Sequence, residues 1–335
     1  MNKKIIITAV LFFSLNIIYS ESKFKLNLEQ SFGFKNGHLG EYVLVKEPNY
    51  SDDKLSYLNW EVKNQFYTNI ALNVSYKDLL FSSDFSVSLP GYCGKMEDSD
   101  WFNNLYDKHP AADPTKDYKT HFSVHDNYLD YDFSFSEELS YKFNVSQWFI
   151  LAPKLSFEYS NIKFSGKDGE GWHGKEKSEN GSSYYTEYTS DEIDHYYWSG
   201  NVIEYNRIQY SLWTGVNLNF YASNFCFNLG FDISPYTYTY NEDNHHGLTA
   251  NSGKDYVDIC QDFFSACKIN LGFSYAINKL EILFNYNYYY LNRIRGKSYE
   301  KAASATKYSE YTATEGGADA EFNSLSVGLK YHFIK

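Results

Sequence analysis

The stretch Phe225-Cys226-Phe227-Asn228-Leu229-Gly230-Phe231-Asp232-Ile233-Ser234 puts an apolar side chain at every odd position and a small or polar one between. Successive side chains of a strand point to opposite faces, so this segment has one greasy face and one wet face. Near the C-terminus Leu325, Val327, Leu329, Tyr331 and Phe333 alternate in the same way with Ser326, Gly328, Lys330 and His332. So do Phe81, Phe85, Val87 and Leu89 against Ser82, Asp84, Ser86 and Ser88, and Phe133, Phe135, Leu139, Tyr141 and Phe143 against their small or polar neighbours. A soluble sandwich would alternate too. Two features favour a membrane barrel: tight turns and long polar segments take turns along the chain, and rings crowd the strand ends as interface girdles do. The tight turns fall near 76–78, 144–147, 222–224 and 276–279, and the long segments near 47–55, 92–120, 166–193, 241–254 and 297–318. The expectation is an all-β fold: a ten-stranded antiparallel transmembrane β-barrel with long extracellular loops and short periplasmic turns. Many arms exceed the ~9–11 residues that cross a bilayer, so the barrel should project beyond it on the long-loop side.

Composition agrees with strands. Aromatic residues make up 20% of the 335, too many for a disordered chain, and the net charge of −12 argues against a nucleic-acid partner, whose phosphates need Lys and Arg. Residues 1–20 read as a signal peptide, with Lys3 and Lys4 before an apolar run from Ile5 to Ile18 and the small Ser20 at the cleavage point. No later segment approaches the ~20 apolar residues of a membrane helix, which leaves an exported soluble protein or a barrel. Residues 21–335 carry no repeat or linker and are read as one domain. Cys93, Cys226, Cys260 and Cys267 lack the short paired spacing of a zinc site, and their pairing is not readable.

Two runs on the long segments could carry chemistry. Met96-Glu97-Asp98-Ser99-Asp100-Trp101 sets two carboxylates two apart, and Asn241-Glu242-Asp243-Asn244-His245-His246 sets a carboxylate two before an imidazole. In extended structure each pair shares a face, so Asp243 could hold one ring nitrogen of His245 and leave the other to take a proton from water. Carboxylates arriving from another strand pair would hold that water and raise the histidine's basicity. Taken singly, an Asp-x-Asp is commonly a solvated surface element. The adjacent histidines lack a third ligand at fixed spacing, so no metal is expected. No Gly-x-Ser-x-Gly elbow supports a serine nucleophile.

At these residues the sequence resembles the omptin family, outer-membrane endopeptidases of bacteria. The resemblance runs through Gly37-His-Leu-Gly-Glu-Tyr-Val43, Leu55-Ser-Tyr-Leu-Asn-Trp60, Gly94-Lys-Met-Glu-Asp-Ser-Asp-Trp101, Asp243-Asn-His245 and Gly328-Leu-Lys-Tyr-His-Phe333. It implies a ten-stranded barrel and water-mediated peptide hydrolysis without an acyl-enzyme. In that scheme Asp98 and His245 position and deprotonate the water, Asp243 orients the imidazole, and Asp100 assists near the oxyanion, either protonated or through a water. It also implies Arg or Lys before the scissile bond, held by Glu41. The family's second carboxylate position is Asn241 here, with Glu242 beside it as a possible substitute, and a further acidic position is His121, near Ser123 and His125. Discrimination should therefore be weaker than the family norm. No cofactor is implied, but family members need lipopolysaccharide on basic groups of the outer wall. Arg207 is placed in one such position, and Asn161 stands where another arginine is expected. The implied partners are cationic peptides or proteins and outer-membrane lipid. The rival reading is a catalytically weak adhesin or receptor on the same scaffold, and about ten strands close too tightly for a diffusion pore.

Overall fold

Backbone pairing carries the alternating segments further than their side-chain pattern does. The computed structural model describes residues 24–106, 114–179, 181–246, 253–302 and 305–334; the expected signal peptide, 1–20, lies outside them. The strands are β1 (Phe24–Val45), β2 (Lys54–Tyr76), β3 (Leu79–Ser88), β4 (Gly91–Asp100), β5 (His121–Tyr141), β6 (Phe143–Asn144), β7 (Phe149–Gly174), β8 (Glu176–Glu179) and β9 (Ser182–Tyr185). They continue with β10 (Ile193–Ala222), β11 (Phe225–His245), β12 (Lys254–Asp262), β13 (Ala266–Ile277), β14 (Leu280–Ala302), β15 (Ser309–Glu310) and β16 (Thr314–Ile334). A four-residue helix, Asn103–Tyr106, follows β4.

All pairing is antiparallel. From β1 the ladder passes to β2, then to β3 and β4, which both lie between β2 and β5. It continues through β7, β10 and β11, then through β12 and β13 side by side with β14, and β16 brings it back to β1. The break between β3 and β4 falls at Leu89-Pro90, where proline has no N–H to give the ladder. Two-residue turns join β2 to β3, β10 to β11 and β13 to β14, with Lys77 (φ 55°), Ser223 (56°) and Asn278 (56°) in the left-handed conformation that such hairpins need.

Much of what reads in sequence as long polar loop is therefore strand: 92–100, 167–174, 241–245 and 297–302 all belong to the ladder. Both faces of these extensions meet polar surroundings, so alternation fades while backbone hydrogen bonds continue.

Below the extensions the outer face is apolar and exposed. Phe32, Phe34, Ile70, Leu72, Phe81, Phe85, Leu139, Leu155, Leu212, Phe227, Phe231, Phe273, Phe284, Leu325, Val327 and Leu329 form a belt. Tyr131, Tyr210 and Tyr290 rim it on one side, and Tyr76, Tyr141, Trp148, Tyr221 and Tyr331 on the other. Apolar surface of this extent is stable only when covered, and the ringed belt is the pattern of a wall against lipid. The inner face at the same height is wet and charge-paired: Lys35 with Asp132, Lys268 with Glu158, and Lys154 with Glu138 (3.2 Å) and Asp232 (3.0 Å). The four cysteines are all free.

Val327→Arg should therefore weaken folding into lipid vesicles by about 2–4 kcal/mol, the cost of a guanidinium near the bilayer midplane. Urea titration of the vesicle-folded protein reads this, and an unchanged midpoint would remove the belt from contact with lipid.

Candidate active site

Above the wet lumen the inner faces close over with rings. Trp60, fully buried, stacks on Phe164 (centroids 5.7 Å apart) and on Tyr205 (5.4 Å). Leu39, Leu58, Met96 and Ile203 complete this apolar floor. The strand ends that rise from it carry the acidic and imidazole groups.

Asp98 and Asp100 lie at the end of β4, paired in register with Leu58 and Ser56 of β2 on one side and with Ser123 and His121 of β5 on the other. The Ser56 hydroxyl donates to Asp98 Oδ1 at 3.4 Å. Asp243 and His245 end β11, across the ladder from β4, and share a face as their spacing requires. Nε2 of His245 is 2.5 Å from Asp243 Oδ2, and the ring meets Tyr256 edge-on at 5.4 Å. The structure thus brings together all four residues of the two runs.

They titrate as one site, beyond the apolar belt. Burial pushes Asp98 up to about 6, with the His245 charge opposing and the Asp243 charge adding. Burial, then the charge of Asp98, pushes Asp100 well above the usual carboxylate range. For His245 burial alone would lower the pKa, but the Asp243 charge and hydrogen bond, with Asp98 and Asp100 behind them, overcome it and hold the ring at about 9. At neutral pH the site therefore combines an imidazolium hydrogen-bonded to Asp243 with a carboxylate on Asp98, beside an Asp100 whose burial favours its protonated form.

The residues expected around this centre divide. Glu41 is buried inside, its Oε2 without a partner, and pushed well up by burial and by the charges of Asp243 and Asp258. Asn241 is buried on the same side but fully engaged: its oxygen accepts from Tyr205 (3.0 Å) and Arg207 (2.9 Å), and its nitrogen donates to Thr239 (3.1 Å) and the Asp258 carbonyl (3.2 Å). His121 faces inward among rings, 4.5 Å from His173 and 4.7 Å from Phe102 between centroids. Burial, helped by His173, lowers it to about 4, so it is neutral and offers no acidic contact. Ser123 bonds His125 at 2.9 Å.

Two expectations are corrected. Glu242 cannot substitute for Asn241: β11 stays extended through it, so it faces outward, bonded to Asn206 (3.3 Å) and Tyr240 (3.1 Å). Arg207 does not stand on the outer wall. It lies on the inward parity of β10 and is fully buried, donating to the carbonyls of Asp319 (2.6 Å) and Gly40 (2.7 Å) and to Tyr205. It braces β10 against β1 and β16 and reaches no lipid phosphate.

Sequence reasoning missed Asp258. It is buried on β12, in register with Asn241 and with Ser298 of β14, and burial raises it to about 7 with Ser298 opposing and Asp243 adding. Its only signal is the inward set Tyr256, Asp258 and Cys260, which acquires meaning once the register with β11 is known.

The profile described as "Omptin family" matches residues 22–333. The chain belongs to the omptin family. Among solved structures, the outer membrane protease OmpT from Escherichia coli is similar at 18% identity and a TM-score of 0.75, covering 92% of this omptin and 97% of that chain. The translocator domain of the autotransporter NalP from Neisseria meningitidis (8% identity, TM-score 0.33, 98% and 95% covered) and OprG from Pseudomonas aeruginosa (11%, 0.34, 92% and 96%) are looser likenesses that bear no weight. No curated protein sequence matches this omptin.

A raised histidine pKa means that the folded omptin favours the proton. The stability this contributes is full below the ordinary pKa of 6.5 and is lost as pH rises through about 9. Asp243→Asn should move the His245 titration midpoint, followed by NMR of the imidazole, down from about 9 toward 6.5. An unmoved midpoint would transfer the effect to Asp98 and Asp100.

Proposed function

We propose that this omptin is an outer-membrane endopeptidase, its ten arms closed as a barrel through the lipid and its cleft facing the exterior. It cuts cationic peptides or exposed protein segments next to Arg or Lys. One observation carries the reading: two chemically different pairs, Asp98 with Asp100 and Asp243 with His245, meet above a dry floor from opposite sides of the ladder.

In this scheme a water lies between Asp98 and His245. Asp243 holds Nε2 of the ring, which leaves Nδ1 to take the water's proton as its oxygen attacks the peptide carbonyl. The negative charge arising on the carbonyl oxygen is met by Asp100. A charged carboxylate would repel it, so the upward shift of Asp100 supports a protonated donor. The proton on His245 then passes to the leaving amine. The acidic chain suits cationic substrates by steering them toward the cleft.

Lipid dependence is expected to be weak. Arg207 is turned inward, and Asn161, beside the outward Tyr131, has no charge to offer a phosphate.

The test is cleavage of a quenched peptide with paired basic residues by the refolded protein, with and without lipopolysaccharide, beside His245→Ala. The variant should lose ~10²–10⁴ in rate, and the wild type should cleave without added lipopolysaccharide. The kcat/KM of the wild type should climb with pH and level off near 9, as the neutral ring becomes available. A limb near 6 instead would make Asp98 the base. No cleavage by folded protein in either condition would favour the binding barrel.

A further inference from the structure

The inner wall beside the dyad holds carboxylates with unfilled hydrogen-bonding capacity. Glu41 is 4% exposed, Asp258 3% and Asp243 5%, and each has one oxygen with no partner: Oε2 of Glu41 and Oδ1 of both aspartates. A buried carboxylate oxygen left unbonded is costly, so such groups are ordinarily paired. Asp243 has His245 on its other oxygen, but Arg207 pairs neither Glu41 nor Asp258, because its guanidinium is spent on Tyr205, Asn241 and two backbone carbonyls.

Asp258 is placed with care. It reaches from β12 across β14 and lies over Gly316 of β16, where a Cβ would come within 2.2 Å of its Cγ and 2.5 Å of its Cβ. Any side chain at 316 would thus push Asp258 aside. Gly316 is the register partner of Val43, two residues along the strand from Glu41, so the missing Cβ lets a carboxylate from β12 extend toward one from β1. Their charges act on one another: Asp258 is among the groups that raise Glu41, and Asp243 raises both. Among the described residues no group of His, Cys, Asp or Glu converges as metal ligands do. The complement is a larger cation whose N–H donors are spread over several oxygens, as those of a guanidinium are.

We propose that Asp258 joins Glu41 as the second carboxylate of the pocket for the basic side chain at the cut, filling from the neighbouring strand the role that Asn241 cannot fill. The proposal rests on the endopeptidase reading and restores to this pocket the discrimination that Asn241 alone would forfeit. The carboxylates at 41 and 258 give the pocket two acidic walls, with the Arg207 guanidinium engaged as a brace behind them.

The experiment uses the full refolded chain and two quenched peptides identical except for Arg or citrulline at the cut, citrulline keeping the shape without the charge. The wild type should prefer Arg, and Asp258→Asn should reduce the Arg-to-citrulline ratio of kcat/KM about 10- to 100-fold, the range expected for a charge-assisted bond lost in a buried site. Asp258→Glu should retain most of the ratio, while Gly316→Ala, which displaces Asp258, should lower it. Heat-modifiable gel mobility certifies that each variant is folded. An unchanged ratio in folded Asp258→Asn, or a wild type indifferent to the charge, overturns this pocket and leaves the protease standing. If the folded wild type cuts neither peptide, the protease reading fails. Fluorescence anisotropy of the same pair then decides the pocket: Arg-selective binding lost in Asp258→Asn upholds it, and equal binding overturns it.

Discussion

Everything distinctive about the cleft depends on the stack of Trp60 with Phe164 and Tyr205 beneath it. Below that floor the lumen is polar and its charges are paired, so their fields cancel within a few ångström. Above it, carboxylates and an imidazole are held away from bulk water, and charge–charge interactions grow as the surroundings become less polarisable. The upward shifts of Asp98 and Asp100 follow from that enclosure, while His245 rises because the neighbouring carboxylate charges outweigh its own cost of burial. Without the floor, the same side chains on the same strands would be ordinary solvated residues.

The fold was legible where one face met lipid and the other met the lumen, because only that contrast writes itself into the sequence as alternation. Phe225 to Ser234 and Leu325 to Phe333 announce strands, and both are strands. The extensions through Glu97, Glu170 and Glu300 read as loop because polar side chains on both faces remove the contrast without removing the backbone ladder. The strand pairing, unlike the strand identity, had to be seen.

The same limit governs the site. Residues two apart on one strand share a face, and so the juxtapositions within Asp98–Asp100 and Asp243–His245 could be anticipated. Which strands face one another is a matter of register, and register decided the rest. It placed Asp258 beside Asn241 and opened Gly316 to it. Parity alone should have turned Arg207 inward, since it lies an even number of residues from the buried Tyr205 and Gln209. The outward expectation comes from the resemblance, not from its own strand.

The length of the extensions sets a stand-off. Twelve residues of β11 separate the belt residue Phe231 from Asp243. At about 3.4 Å per residue and a tilt of roughly 40°, the reacting groups stand on the order of 30 Å above the middle of the apolar zone. About 12 Å of that lies within an apolar band about 25 Å tall, so a chain anchored in the same membrane must climb roughly 18 Å from the lipid surface, about five extended residues, before any of its bonds can enter the cleft. Short surface loops close to the lipid are therefore out of reach, and long tethers or freely diffusing peptides are not.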